Sequence, residues 1–285
     1  MKILKGISTF LFFSILFGAC FDPPSFPNTP YIEFESLVFV EGKTLTDNDS
    51  LNLTIRFQDG DGDLGLPADE IDEPYNNLNF FLVNNGELEK VGTWIRYNDL
   101  PPVIKPKPGQ QGKLATVRTR NEPGLGSLPP YTIPYSCINY IYDSVYVSEE
   151  NKNIFDDTYN LYKTLTSTTN PKLYVLLDTF YYEINTYHSN ITVDFLVKQN
   201  DGTFKEFDWV TEFCVADNAP GISFDGRFPV LGEKTGPLEG TLKYSMVSSG
   251  FLALFSVKTL KLRIQVYDRA LNASNVLETA EFTLR

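Results

Sequence analysis

The sequence predicts an all-β protein, and three observations lead to this class. Apolar and polar residues alternate with a period of two in several segments, most clearly over 51–58 and 260–267, as in strands that bury one face and expose the other. Turn signals such as NNG, NDG and FDG separate the segments. Only one stretch, 149–165, has its aromatic residues at helical spacing. We therefore expect an immunoglobulin-like β-sandwich with a long insertion that contains one short helix.

The expected strands follow one another from residue 31 to the end of the chain. In chain order they are 31–40, 51–58, 78–83, 113–119, 138–147, 172–184, 191–197, 203–213, 239–246, 260–267 and 280–284. The expected helix at 149–165 has acidic residues in its first turn, and Phe155, Tyr159 and Tyr162 follow at spacings of four and three. Because the regular strands lie at the two ends of the chain, we expect one sandwich over 31–285 with an insertion at about 92–170, rather than two domains in series.

Residues 1–19 have the features of a secretory signal. Lysines precede an apolar run of eleven residues at 7–17, which is too short to span a bilayer. Small residues then precede Cys20, and this arrangement resembles the lipobox of bacterial lipoproteins. The resemblance implies removal of 1–19 and acylation of Cys20; an ordinary signal peptide followed by an unmodified cysteine is the alternative. Four prolines within 20–30 favour an extended, solvated tether between this anchor and the folded part.

The cysteine count predicts one disulfide. The chain has three cysteines, and acylation of Cys20 leaves Cys137 and Cys214 as an even pair in an oxidising compartment. We expect these two residues to be bonded to each other. The alternative is a pair of separate buried thiols, which are common in protein cores.

The strongest candidate for a ligand site is DGDGDLGLPADE at 59–70, directly after the first regular strand. Calcium takes about six to eight oxygen ligands, and three carboxylates alternate here with glycine: Asp59, Asp61 and Asp63. The spacing resembles the calcium loop of EF-hands, and Glu70 occupies the twelfth place, where the EF-hand has its bidentate glutamate. Leu64 stands at the sixth place instead of glycine, and a strand leads in, so the loop is not an EF-hand. We predict a calcium loop on a β scaffold; a solvated interstrand loop is the alternative.

A second loop is expected to lie beside the first. Asp268 follows the late strand and begins the loop DRALNASN. If 51–58 is strand B and 260–267 is strand F of an immunoglobulin sandwich, the B–C and F–G loops lie at the same end. Asp268 and Asn272 would then face the three aspartates and add ligands to the ion. Alternatively, Asp268 only accepts hydrogen bonds from the backbone of its own turn.

Four stretches together resemble a broad set of Bacteroidota-type outer-membrane lipoproteins with an immunoglobulin-like sandwich. They are the lipobox, which a proline tether follows, LTIRFQDGDGDLGL at 53–66, GRFPVL at 226–231 and VYDRALNASNVLETAEFTL at 266–284. The resemblance covers both ends of the mature chain and hardly touches 85–190. It implies a lipid anchor in the outer membrane, at the periplasmic face or the cell surface, and it assigns no catalytic residue.

Composition and missing motifs argue against several classes of function. Lys and Arg number 24 and Asp and Glu number 36, and the net charge of −12 is opposite to the basic surface that nucleic acid binding needs. The single histidine, His188, excludes an HExxH site and most histidine-based catalysis, and the chain has no GxSxG or Walker motif. We expect His188 to be exposed at a strand end and the protein not to be an enzyme.

The leading interpretation is a lipid-anchored binding or scaffolding protein of the outer membrane, for example an accessory subunit of an outer-membrane complex. The second is a carbohydrate-binding lipoprotein of a glycan-uptake system, because exposed tyrosine rings suit sugars, although strand cores are also rich in aromatic residues. The candidate rings are Tyr131, Tyr135, Tyr140, Tyr142, Tyr146, Tyr181, Tyr182 and Tyr187. The third is a glycosidase, which needs only two carboxylates, or a protease.

Overall fold

The computed structural model describes residues 24–44, 47–92, 94–95, 103–122, 125, 128–155, 162–163, 173–214, 223–231 and 236–284. The expected signal segment, Cys20 and the first residues of the tether lie outside this range. Within the described part of the chain, no helix is long and apolar enough to cross a membrane.

The described residues form strands and three short helices. The strands are β1 (Tyr31–Val40), β2 (Asp49–Asp59), β3 (Leu78–Asn84), β4 (Glu87–Lys90), β5 (Trp94–Ile95), β6 (Val103–Ile104), β7 (Lys113–Leu114), β8 (Tyr140–Ser148), β9 (Tyr162–Lys163), β10 (Leu173–Ile184), β11 (Ile191–Lys198), β12 (Phe204–Glu206), β13 (Leu238–Ser248), β14 (Leu260–Val266) and β15 (Leu277–Glu278). The helices are α1 (Tyr135–Ile138), α2 (Trp209–Phe213) and α3 (Phe251–Phe255).

Two antiparallel sheets form the sandwich. One has the strand order β1-β2-β13 and the other β12-β11-β14-β15. The alternating apolar residues of β2 and β14 point inward from the two sheets and meet rings from β11 and α3 in one core, because burying the apolar face of each sheet requires the other. In immunoglobulin nomenclature the sheets are A-B-E and C′-C-F-G. The all-β sandwich is confirmed, with β2 as strand B and β14 as strand F.

A third sheet is built between strands B and C. It has eight strands, with the order β4-β3-β10-β8-β6-β5, and β7 and β9 pair with β3 and β10 at its side. Two further apolar clusters lie against it. The sheet runs from Leu78 to Ile184, which is a longer stretch than the insertion expected at about 92–170. Both connections between this sheet and the sandwich pass the end of the sandwich that carries the B–C loop.

The structure corrects four expected elements. In place of the strand expected at 280–284, the short strand β15 lies at Leu277–Glu278, and Phe282 forms only an isolated bridge with Leu260. In place of a helix over 149–165, the described residues form a turn, a single 3₁₀ turn at Lys152–Ile154 and the short strand β9. Phe155 is fully buried against the third sheet, so tertiary packing overrides the local spacing. The strand expected at 203–213 ends at Glu206, and α2 follows. The strand expected at 113–119 ends at Leu114, because Thr119 Oγ1 donates to the Leu114 carbonyl and closes a turn.

Helix α2 begins where its sequence supplies a cap. The Asp208 side chain accepts a hydrogen bond from Thr211 N at 3.0 Å, which satisfies one of the free amide groups of the first turn. Trp209 is buried and contacts the ring of Phe195 edge-on. The capping aspartate and the buried tryptophan together replace the second half of the expected strand with a helix.

The expected disulfide between Cys137 and Cys214 is confirmed. The two Cα atoms are 5.7 Å apart, within the range of disulfides. Cys137 lies in α1, which belongs to the chain of the third sheet, and Cys214 follows α2 in the sandwich. The bond therefore connects the third sheet to the sandwich covalently.

Candidate metal centre

Asp59 ends strand B with its side chain directed inward. The alternation that buries Leu51, Leu53, Ile55 and Phe57 also buries Asp59, which is 0% exposed. Its Oδ2 accepts a hydrogen bond from Leu64 N at 3.1 Å. Its Oδ1 is buried and has no hydrogen-bond partner among the described residues. A buried, unpaired carboxylate oxygen costs free energy unless something else neutralises it.

Asp61 and Asp63 place their carboxylates next to that of Asp59. Gly62, with φ of 74°, turns the chain between them, a conformation that glycine adopts without steric cost. One carboxylate oxygen from each aspartate lies within 4.8 Å of the others. Asp61 Oδ1 and Asp63 Oδ1 are also buried and without a hydrogen-bond partner. Three carboxylates thus direct unpaired oxygens toward one small volume.

The backbone of the loop is held by other parts of the chain. The Asp61 carbonyl accepts a hydrogen bond from Gly236 N at 2.9 Å, and the Asp63 carbonyl accepts one from Arg269 N at 3.3 Å. These bonds join the B–C loop to the segment before β13 and to the F–G loop. The loop geometry is therefore fixed by its backbone and by the hydrogen bond from Leu64 N to Asp59 Oδ2, while the Oδ1 atoms of the three aspartates have no partner among the described residues.

The local electrostatics favour a cation at this point. Burial, and then the charges of Asp268, Asp61 and Asp59, raise the pKa of Asp63 to about 6, against a smaller lowering by Arg269. Burial also raises the pKa of Asp59, and the hydrogen bond from Leu64 opposes this. Both shifts mean that burial first, and the neighbouring carboxylates second, disfavour the ionised form of Asp59 and of Asp63.

The structure brings Asp268 to the same tip and gives it partners in its own loop. Asp268 is 3% exposed, and its backbone forms an isolated antiparallel β-bridge with Leu64. Its Oδ1 accepts from Asn272 N at 2.7 Å and its Oδ2 from Asn272 Nδ2 at 2.8 Å. The negative charge of Asp268 raises the pKa of Asp59 and of Asp63, but Asp268, like Glu70, is not in the group of carboxylates within 4.8 Å. The hydrogen bond within its own turn, which was the alternative expectation, is present. Asn272 uses its amide nitrogen to hold Asp268.

Glu70 lies apart from the three aspartates. It is not in the group of carboxylates within 4.8 Å, and its backbone carbonyl accepts a hydrogen bond from the Arg227 guanidinium. The negative charge of its carboxylate favours the protonated forms of Arg227 and Tyr75. Glu70 therefore occupies the EF-hand ligand position in the sequence, but its carboxylate does not lie with those of the three aspartates.

Arg227 is a supporting residue that sequence reasoning missed. Its guanidinium donates to four backbone carbonyls, those of Pro67, Glu70, Tyr75 and His188. These carbonyls belong to the two connections between the sandwich and the third sheet. The sequence signal was present in GRFPVL, a single arginine beside apolar residues, but the pattern does not reveal its partners.

His188 supports the same junction and is not exposed at a strand end. It is half-buried in the 3₁₀ turn Thr186–His188. Its Nδ1 lies 2.8 Å from Arg227 Nη2 and 3.1 Å from the Tyr75 carbonyl oxygen. Burial lowers the pKa of His188, and Arg227 adds to this. The contacts of the histidine ring are those of a structural residue.

The tyrosines do not form one exposed platform. Tyr140, Tyr181 and Tyr182 are buried, and the ring of Tyr140 packs edge-on against Tyr131 and Tyr181 with centroid distances of 5.3 and 5.8 Å. The exposed tyrosines lie on separate elements: Tyr135 in α1, Tyr142 in β8 and Tyr187 in a 3₁₀ turn. Most of the aromatic cluster thus serves the core of the third sheet.

The donor set of the acidic loop selects the type of ion that fits. The cluster contains only carboxylate oxygens, with no histidine or cysteine, and hard cations such as calcium prefer this set. Zinc, a borderline metal, is bound most often through cysteine sulfur and histidine nitrogen. Backbone carbonyls and water would have to complete the shell of an ion held by Asp59, Asp61 and Asp63.

No family model, curated protein or solved structure matches this chain. The function must therefore be inferred from the site itself. Within the described residues, six buried side-chain polar atoms lack a hydrogen-bond partner, and three of them belong to Asp59, Asp61 and Asp63. This concentration makes the acidic loop the strongest candidate for ligand binding.

Proposed function

We propose that Asp59, Asp61 and Asp63 bind one calcium ion that stabilises the junction between the sandwich and the third sheet. The observation that carries the proposal is the set of three buried, unpaired carboxylate oxygens within 4.8 Å. A divalent cation removes the repulsion among these groups and provides the partner that each oxygen lacks. Asp268 contributes either as a ligand or through its negative charge.

The position of the ion explains a stabilising role. The loop contacts Gly236, before β13, and Arg269, after β14, and it leads directly into the connection that Arg227 holds. Neutralising the carboxylates would stabilise three chain segments at one end of the sandwich. The ion would thus fix the orientation of the third sheet, in addition to the disulfide.

For the whole protein, we propose a lipid-anchored, non-enzymatic binding or scaffolding role at the outer membrane, for example within an outer-membrane complex. The lipobox-like segment before Cys20 supports the anchor, and a disulfide supports an oxidising compartment. The structural contacts of His188 support a role without catalysis. Substitution of Cys20→Ser should abolish acylation and leave unprocessed or soluble protein; mature protein that still partitions into detergent would contradict the anchor.

Calcium binding is tested by calorimetry and thermal unfolding of the mature protein in calcium and in chelator. Calcium present at about a hundredfold excess over Kd should raise the free energy of unfolding by about 2.7 kcal/mol. Asp61→Asn should remove most of this increase. Glu87→Gln removes the same charge from an exposed residue of β4 and serves as the matched control. Equal melting curves in calcium and chelator would contradict the proposal.

A second candidate function is carbohydrate binding, at a different place from the tyrosine-rich segment. The outer face of the A-B-E sheet has a groove of about 310 Å³ next to strand A. Its lining combines the exposed ring of Tyr31 with residues that have hydrogen-bonding side chains, among them Glu33, Arg56, Gln58, Glu239 and Thr241. A ring beside several polar groups suits a sugar.

The groove is tested on a glycan array. Binding that Tyr31→Ala abolishes and Tyr142→Ala preserves would support this function, because Tyr142 is also an exposed ring, on the third sheet. Absence of binding to every glycan would favour the scaffolding role.

A further inference from the structure

The segment before strand A lies against the acidic loop. A Cβ added to Gly60 would collide with the Phe26 carbonyl oxygen and lie 2.7 Å from the carbonyl carbon and oxygen of Pro27. Phe26 is half-buried, and Pro30 is buried. The close approach of the two backbones therefore requires glycine at position 60. A solvated tether was expected over 20–30; its described residues 24, 25 and 27–29 are exposed, while the Phe26–Pro27 backbone contacts Gly60 and Pro30 is buried.

Gly60 lies between two of the three clustered aspartates. The residue that the tether contacts and the candidate calcium ligands therefore belong to the same loop, 59–63. Because Asp59 Oδ2 and the Asp61 carbonyl are both hydrogen-bonded, the backbone on each side of Gly60 is fixed. The tether thus leaves the fold at a defined place, the acidic tip of the sandwich.

We propose that the acidic tip, the end of the sandwich that carries the loop 59–63, is the end of the domain nearest the membrane. The contact of the Phe26–Pro27 backbone with Gly60, the seat of the tether, holds it there. The proposal rests on the acylation of Cys20 put forward above. Its partner is the lipid surface in which that anchor is inserted.

Covalent geometry limits the distance between the acylated residue, Cys20, and Phe26. Cys20 and Phe26 are 26 − 20 = 6 residues apart, and an extended chain spans at most about 3.6 Å per residue, so the seat lies within about 22 Å of the anchor. If the tether were free up to Tyr31, the 31 − 20 = 11 intervening steps would reach about 40 Å. The seat therefore roughly halves the reach of the tether.

The opposite end of the sandwich is identified by strand register. Leu238 pairs with Asp59 and Ser248 pairs with Asp49, so the connection after β13 lies at the far end of β2. The eleven residues of β2 extend about 36 Å at the usual rise. Val257, which is 92% exposed, lies in this distal connection.

Two labelled positions test the orientation. The acylated full-length protein is inserted into phosphatidylcholine vesicles that contain a headgroup-labelled acceptor lipid. A donor dye is attached to Ala270→Cys, an exposed position beside Arg269 in the F–G loop, or to Val257→Cys at the distal end. Energy transfer should be at least about two-fold stronger from position 270, given the length of β2. Equal or reversed transfer would overturn the proposal.

The seat itself is tested by changing the tether. Gly60→Ala places a methyl group where the Phe26 and Pro27 backbone lies, and it should release the segment and lower energy transfer from position 270. A ten-residue Gly/Ser insertion before Pro24, an exposed position, should leave the fold intact and lower the same signal. Unchanged transfer in the insertion variant would overturn the proposal even if Gly60→Ala fails to fold.

Failure of the anchor is distinguishable from failure of the orientation. Mass spectrometry and flotation with vesicles report acylation of Cys20 directly. Protein that lacks acyl groups and does not float contradicts both the anchor and the orientation. Acylated protein that floats but gives equal transfer from positions 257 and 270 contradicts the orientation alone.

Discussion

Asn272 donates to both carboxylate oxygens of Asp268, through its backbone nitrogen at 2.7 Å and its side-chain amide at 2.8 Å. This pair fixes the buried carboxylate of the F–G loop beside the B–C loop. The same negative charge raises the pKa of Asp63 and of Asp59. Asn272 therefore determines how the fourth carboxylate is presented to the acidic cluster.

Asn272→Ala should weaken calcium binding without unfolding the protein. The substitution removes the side-chain donor and leaves the backbone donor, so we expect a loss of about 1 kcal/mol in stability in chelator. Calcium affinity should fall about five-fold if Asp268 is a ligand whose orientation costs a similar free energy. Calorimetry measures the affinity, and an affinity equal to that of the wild-type protein would show that Asp268 does not act as a ligand.

The metal-free protein should lose stability as pH rises through the range set by Asp63. The pKa of Asp63 in the folded state, about 6, is above its usual value of 3.8, so the folded state binds this proton more tightly than the unfolded state. The stabilisation is present below pH 3.8 and is lost as pH rises through about 6. Asp63→Asn should remove this loss and raise stability at pH 7 in chelator by about 1–2 kcal/mol, less than the full shift implies, because solvent screens a partly exposed carboxylate.

The titration of His188 changes stability with pH in the opposite direction. The contribution of Asp63 is therefore obtained by comparing the wild-type protein with Asp63→Asn. Burial lowers the pKa of His188, so its contribution is complete above its usual pKa of 6.5 and falls as pH decreases below it. The difference between wild-type and Asp63→Asn unfolding curves isolates the Asp63 contribution, because both proteins contain His188. Parallel pH profiles for the two proteins would contradict the prediction.

Arg227→Lys should destabilise the protein strongly although it preserves the charge. Four backbone carbonyls accept hydrogen bonds from the guanidinium, and a lysine ammonium cannot reproduce this planar arrangement. We expect a loss of about 2–4 kcal/mol in urea unfolding, since buried carbonyls lose their donors. Arg56→Lys, at an exposed arginine that forms an ion pair with Glu35 at 3.5 Å, should change stability by less than about 0.5 kcal/mol. Similar effects at both positions would contradict the role of Arg227.

Loss of the disulfide should destabilise the protein by about 4 kcal/mol in the chain-entropy model, because the bond closes a loop of 77 residues. Cys137→Ser with Cys214→Ser removes both thiols and avoids incorrect pairing. Alkylation of the unfolded, unreduced mature protein should detect no free thiol at either residue. A reactive thiol at Cys137 or Cys214 would contradict the bond in solution.

Local sequence patterns were sufficient for the framework of the sandwich. Strands with strict alternation, such as 51–58 and 260–267, appear as β2 and β14 in nearly the expected range. Alternation is a direct consequence of strand geometry, so it identifies both the element and its buried face. The same logic placed the B–C and F–G loops at one end and brought Asp268 beside Asp59 and Asp63.

Local patterns failed where distant contacts compete with them. The aromatic spacing around Phe155 predicted a helix, yet Phe155 is buried against the third sheet and the following described residues, 162–163, pair with β10. Likewise, Glu70 matched a ligand position in the sequence, but its loop is held elsewhere by Arg227. A pattern within ten or twenty residues carries no information about such partners.

The sequence by itself determined the all-β class, the inward faces of the sandwich strands, the pairing of Cys137 with Cys214 and the acidic loop as the candidate site. Only the tertiary structure decided that three carboxylate oxygens are buried without partners and that Arg227 joins the two connections. It also decided that Phe26 and Pro27 are seated on Gly60. The physical reason is range. Alternation and turn chemistry act between neighbours in the chain, whereas burial and hydrogen-bond satisfaction depend on residues far apart in it, such as Ile32 and Asn275, which are 243 positions apart.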